Sequence, residues 1–271
     1  MNILIFSCMV LSMNSSSKQG GTPFIVINPD TLITQEDGPS SLSGLAGDLS
    51  TIITLEGGHF GVGVVDLSSG ETLSRSESGR FLIGLPNVIT GTCGISLSAI
   101  DEFPLDSLIA REEQLWQLIR RAQQNNLEGS QSVIWDIGAE RIKDWLDSRG
   151  LFDTDVYGVQ LGWEGAPEFD QNLTTVDDCL ELLEITYSHL GDPDVRRAIL
   201  NPDLGEAIEA SIESGSTVYG WISTGEDHRD ITLIVLTPQG EKYGLVVLAD
   251  NLCCAAKADL AFTQLLEAVT D

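Results

Sequence analysis

Apolar positions along this chain switch period from helical to alternating and back. Between Ser41 and Leu55, the residues Leu42, Leu45, Leu49, Ile52 and Ile53 recur at near-helical spacing, which predicts a short helix ending at Gly57-Gly58. The apolar run His59 to Leu67, the turn Ser68-Ser69-Gly70-Glu71 and a second run from Thr72 predict a β-hairpin. From Leu85 to Leu200 the pattern is mostly helical: Leu115, Leu118 and Ile119 share a face, and Arg141 to Leu146 keep the period until Gly150. Thr175, with an acid three residues on at Asp178, has the form of an N-cap and opens a helix that carries Leu182, Leu183 and Ile185 to Gly191. Strand-like runs return at Val218–Ser223, Asp230–Thr237 and Tyr243–Ala249, the last two separated by Pro238-Gln239-Gly240. A final amphipathic helix is predicted from Cys254 to Val269, with Ala258, Ala261, Leu265 and Val269 at helical spacing.

This order predicts an α+β fold in one domain over residues 41–271. Two early strands and three late ones form a five-stranded antiparallel sheet, the N- and C-terminal helices cover it, and the helical block makes a second lobe. Residues 14–45 are rich in Ser, Gly, Pro and Asp, so residues 1–40 are expected to be a loose N-terminal extension.

Composition narrows the partners. The 271 residues are 42% hydrophobic, enough for one sizeable core. A net charge of −27 would repel phosphate backbones, which argues against nucleic acid. The acids are spread along the chain: Glu164 to Glu213 holds thirteen of them against Arg196 and Arg197 while keeping its apolar spacing, as a folded acidic surface does. Such a surface suits high salt, where screening relieves repulsion, so a halophilic source is expected. Cys8, Cys93, Cys179, Cys253 and Cys254 form no CxxC pair and imply neither a zinc site nor a disulfide framework, and no metal or cofactor is expected. Met1–Met13 is apolar, but no basic residue precedes its apolar core and no clear cleavage site follows. A cytoplasmic location is therefore expected over a secreted one, with a signal segment or an overcalled start as the alternatives. No run is long enough to span a membrane.

Three stretches carry a family resemblance. Gly61-Val-Gly-Val-Val-Asp-Leu-Ser-Ser-Gly-Glu-Thr-Leu73, followed by Arg80-Phe81, resembles the opening hairpin of class A β-lactamases and their penicillin-recognising relatives. Trp221-Ile-Ser-Thr-Gly225, leading into Asp230-Ile-Thr-Leu-Ile-Val235, resembles their Lys-Thr-Gly strand and the strand after it. Asn172-Leu-Thr-Thr175 is similar to the Asn-x-Thr-Thr-Pro that follows their omega loop, with Val176 in place of proline. The resemblance spans Ser41 to Val269 and implies a β-lactamase/transpeptidase-like fold.

It also implies chemistry that this chain lacks. The family's Ser-x-x-Lys sets an amine one helical turn from the serine hydroxyl and activates it for attack. Counted from Arg80-Phe81, those positions fall on Leu85 and Val88, with Pro86 near N1 or N2 of the helix. The Ser-Asp-Asn motif falls near Asn125 and Asn126, without its serine. Thr224 and Gly225 match the third motif, but Ser223 stands where a lysine would hold the substrate carboxylate. His228 or Arg229 could return some positive charge there, although a solvated strand end is the simpler expectation. Glu168 and Asn172 have the spacing that holds a deacylating water, yet Asn172 also belongs to the Asn-x-Thr-Thr reading, so chance is the simpler explanation. Ser15-x-x-Lys18 lies in the extension, and Cys254-x-x-Lys257 lies at the start of the last helix, where packing against the sheet is expected.

Three functional readings follow. The first is a β-lactamase-like pseudoenzyme that binds an unknown small molecule or protein, or has a structural role. The second is a divergent serine hydrolase using Ser223 or Ser130. The third is an unrelated acidic α+β binding domain.

Overall fold

A computed structural model describes residues 42–100, 105, 108–109, 113–124, 127–156 and 172–270. All of them belong to the compact unit Ser40–Asp271, and the extension expected over residues 1–40 lies outside the described residues. A 3-10 turn at Leu42–Leu45 leads into α1 (Ala46–Ile52), and the expected hairpin forms from β1 (His59–Asp66) and β2 (Glu71–Ser76). The short β3 (Phe81–Leu82) precedes α2 (Asn87–Ala99). The short pair β4 (Leu108–Ile109) and β5 (Glu113–Gln114) then leads into α3 (Leu115–Gln123), α4 (Leu127–Ile137) and α5 (Ala139–Arg149). After β6 (Leu173–Thr174) come α6 (Val176–Ser188), α7 (Pro193–Ile199) and α8 (Glu206–Ser211). The chain closes with β7 (Thr217–Thr224), β8 (Arg229–Leu236), β9 (Lys242–Asp250) and α9 (Ala256–Thr270).

The sheet is five-stranded and antiparallel in the order β2-β1-β9-β8-β7, so the first hairpin joins the last strand and leaves β7 at an edge. Its two faces pack differently. Phe60, Val62 and Val64 of β1 join Phe262 and Leu265 of α9 in the layer formed with the terminal helices. On the other face, Gly61 and Gly63 carry no side chain where a Cβ would lie 2.6 Å from Val176 of α6. The missing atoms let α6 lie directly on the sheet, because a closely packed interior has no slack for them. That face continues into the lobe core through Val246, Leu248, Trp221, Leu182 and Leu183.

Local signals explain several element ends. The Thr175 hydroxyl accepts from the Asp178 N–H and caps α6 as expected, an interaction worth about 1 kcal/mol. Asp192 caps α7 in the same way, with Pro193 in its first turn. α2 lies at the centre of the lobe with every residue from Asn87 to Leu97 buried, so it shows no strong amphipathic signal. Two boundaries differ from expectation. The last helix begins at Ala256 instead of Cys254, which leaves both cysteines exposed ahead of it. The first helix is a 3-10 turn and a shorter α1. Among the described residues, no helix is long and apolar enough to cross a membrane.

Candidate functional site

The three family motifs point to the junction between β7 and the start of α2, and several contacts fix that junction. The Ile83 N–H donates to the Asn172 carbonyl at 3.0 Å, and Asn172 Nδ2 reaches the Gly84 carbonyl at 3.4 Å. Asn87, 1% exposed, donates through Nδ2 to the Ala122 carbonyl at 2.9 Å and accepts from Ser130 Oγ at 2.5 Å. One amide therefore ties α2 to the end of α3 and to α4. Pro86 sits at the N-cap, slightly earlier than expected, where no helical hydrogen bond needs its missing N–H.

Across this junction the Leu85 N–H donates to Ser223 Oγ at 3.2 Å. The two residues therefore face each other across the start of α2. Beside them is a cavity of about 10 Å³ lined by Leu85, Val88, Trp221, Ser223 and Asp230 among others. That volume holds about one water molecule. Val88 is 6% exposed and belongs to the lobe core, and Leu85 packs against the same core.

Asp230 is the cross-strand partner of Ser223 and is 5% exposed. Neither of its carboxylate oxygens has a hydrogen-bond partner among the described residues. Burial pushes its pKa well above the ordinary carboxylate value. The nearby Gly84 N–H offsets part of that without reaching hydrogen-bonding geometry, while Asp250 adds to the rise and Arg229 opposes it. Cys179 of α6 lines the same cavity, and burial pushes its thiol pKa up as well.

The β7–β8 turn corrects an expectation. His228 and Arg229 do not form a solvated strand end: their side chains are only 13% and 11% exposed. The Arg229 guanidinium meets Asp259 of α9 at 2.7 Å and donates to Thr224 Oγ1 at 2.6 Å. The His228 imidazole fills the space between Gly84 and Gly225, and a Cβ on either glycine would collide with it. Its Nδ1 lies 3.2 Å from Asp227 Oδ1, and its enclosed Nε2 has no partner among the described residues. The ring plugs the gap between the two glycines. At the edge of the sheet, a recess of about 180 Å³ is lined by Gln123, Gln124, Asp203, Gly205, Ile222, Thr224 and Arg229.

Ser130 is fully buried and hydrogen-bonded to Asn87. Asn125, Asn126, Glu168 and the Ser15–Lys18 pair lie outside the described residues. Cys254 is exposed instead of packed against the sheet. Among the described residues, no group of three or more His, Cys, Asp or Glu side chains could hold a metal. The roles of Asn87 and Asp230 were missed from the sequence. An available signal was that Asp230, at the head of an otherwise apolar run, shares the alternation phase that faces the lobe.

Neither a family model nor a curated protein sequence matches the chain. Solved structures do match its shape. A class A β-lactamase from Mycobacterium abscessus is 15% identical, with a TM-score of 0.68 over 83% of this chain and 97% of that one. An ancestral class A β-lactamase is 14% identical, with a TM-score of 0.69 over 83% and 98%. A β-lactamase from Xanthomonas campestris pv. campestris is 16% identical, with a TM-score of 0.68 over 83% and 96%. Likeness at this identity sets aside the reading of an unrelated α+β domain and says nothing of activity. The protein has a class A β-lactamase-like fold.

Proposed function

We propose that this protein is a non-hydrolytic member of the β-lactamase-like fold, a pseudoenzyme with a binding or structural role. The observation that carries this reading is the contact between the Leu85 N–H and Ser223 Oγ, beside a cavity of about 10 Å³. Where the fold would hold a nucleophile, Leu85 offers no lone pair, and Val88 offers no base one turn later. A cavity that admits one water excludes an acyl donor. Binding, if it uses this region, falls to the recess of about 180 Å³ on the β7 edge, which is below the size of an ordinary drug-like pocket. The acidic exterior fits work in high salt, where its self-repulsion is screened.

Ser223 favours the hydrolase alternative in one respect, because its cross-strand neighbour Asp230 has the raised pKa of a possible base. Against it, Ser223 is 3% exposed and accepts a hydrogen bond from Leu85. Intact-mass spectrometry after incubation with a penicillin-type acylating probe tests the choice, alongside hydrolysis of a chromogenic cephalosporin. No adduct and background turnover are expected. A stoichiometric adduct mapped to Ser223 or Ser130 overturns the pseudoenzyme reading.

A further inference from the structure

We propose that Cys253 and Cys254 form a redox-modification site, a vicinal dithiol that a hydroperoxide oxidises reversibly to a disulfide within the dipeptide. Both side chains are exposed, and their sulfurs lie 3.9 Å apart. Cys93 and Cys179 are fully buried in the lobe, and burial pushes their thiols up, that of Cys93 to about 12. Peroxide therefore meets the exposed pair before the buried thiols, which are both inaccessible and held protonated.

The segment is held in place where it enters the pair. The Leu252 N–H donates to the Asp227 carbonyl at 2.8 Å, and the Cys253 N–H donates to the Gly57 carbonyl at 2.8 Å. Cys253 Sγ and the Lys257 stem lie over Gly57, where a Cβ would come within 2.8 Å of the sulfur. The sulfurs need to approach by about 2 Å to bond, a distance that rotation of two exposed side chains can supply.

The chemistry balances with peroxide as the oxidant. One thiolate attacks a peroxide oxygen and breaks the O–O bond, giving a sulfenic acid and, after proton uptake, one water or alcohol. The neighbouring thiol then attacks the sulfenic sulfur, the S–S bond forms, and the S–O bond breaks with release of a second water. Two thiols lose two hydrogens while one hydroperoxide is reduced. Adjacent Cα atoms are about 3.8 Å apart, below the usual disulfide range of about 4.4–6.8 Å, so the ring is strained and easily reduced. Strained, exposed disulfides are the labile kind.

This inference is independent of the pseudoenzyme reading. The test uses the full chain, reduced, treated with hydrogen peroxide, then alkylated under denaturing conditions and digested with trypsin. The fragment Tyr243–Lys257 contains both cysteines and no other. It should carry two alkyl groups before peroxide; after peroxide it should carry none and lack two hydrogens, and dithiothreitol should restore the first state. With Cys254→Ser, the fragment should proceed to a sulfenic or sulfinic acid at Cys253 and form no internal disulfide. A doubly alkylated fragment after peroxide, an intermolecular disulfide, or independent over-oxidation of each cysteine in the wild type overturns the proposal. A melting curve of Cys254→Ser that matches wild type separates this outcome from unfolding.

Discussion

Replacing Asp230 with asparagine should stabilise the protein at neutral pH and leave it unchanged in acid. Asp230 is 5% exposed, and both its oxygens lack partners among the described residues, so the ionised form has lost its hydration with only partial compensation from the Gly84 N–H and Arg229. The folded state therefore holds the proton more tightly than the unfolded chain, whose carboxyl has an ordinary value of 3.8. Below that value both states are protonated and the group contributes nothing to the pH dependence. Above it the unfolded chain releases a proton that the native state retains, so stability falls as pH rises, by about 1.4 kcal/mol per pH unit until the native carboxyl also ionises. Asparagine keeps the shape and an equally buried polar group but carries no proton cost. The assay is denaturant unfolding of wild type and Asp230→Asn from pH 4 to pH 8 in molar salt, which damps the surface charges common to both. The difference should grow with pH in favour of the variant. Parallel stability curves, or a variant less stable than wild type at pH 7, would refute the account and mean that the carboxylate is ionised and satisfied.

The remaining outcomes follow from the same contacts. Gly84→Ala should cost about 1–3 kcal/mol, because the added methyl collides with the His228 ring, and His228→Ala in the same chain should recover part of it; additive losses in the double mutant would remove the plug from the argument. Melting temperature should rise from low salt to molar sodium or potassium chloride, since a net charge of −27 repels itself, and a salt-independent value would eliminate the halophilic reading. The double replacement Leu85→Ser with Val88→Lys should give no acylation by a penicillin-type probe and lower stability by a few kcal/mol, because the amine would be buried at a position 6% exposed; recovered turnover would show that only the two side chains were missing.

What could be read from the sequence depended on whether each position obeys a periodic rule. The hairpin, the three late strands and the Thr175 cap follow alternation and capping chemistry that act over a few residues, and they appear where expected. Gly61 and Gly63 were legible as part of a motif but not as the reason α6 can lie on the sheet, because that depends on Val176, more than a hundred residues away. α8, six residues long, is too short to establish a period. At the junction, Leu85, the residue reached by counting from Arg80-Phe81, donates its N–H to Ser223 Oγ. Counting failed in the β7–β8 turn, where His228 folds back between Gly84 and Gly225 and Arg229 turns toward Asp259.

On the pseudoenzyme reading proposed above, Leu85 and Val88 would not be isolated losses. A working cleft needs room for a substrate, a positive field for its carboxylate and a polar route for a proton. Among the described residues, the junction beside Leu85 keeps a cavity of about 10 Å³, and the Leu85 N–H is bonded to Ser223. The guanidinium of Arg229 meets Asp259 and Thr224. Asn87 and Ser130 are spent on tying α2 to α3 and α4. Among the described residues, Asp230, the Trp221 Nε1 and the His228 Nε2 are buried here without hydrogen-bond partners. On the proposed reading, each feature alone is a small adjustment and together they would turn a reaction cleft into an interior, while sheet, α2 and α6 are held by packing in the lobe core.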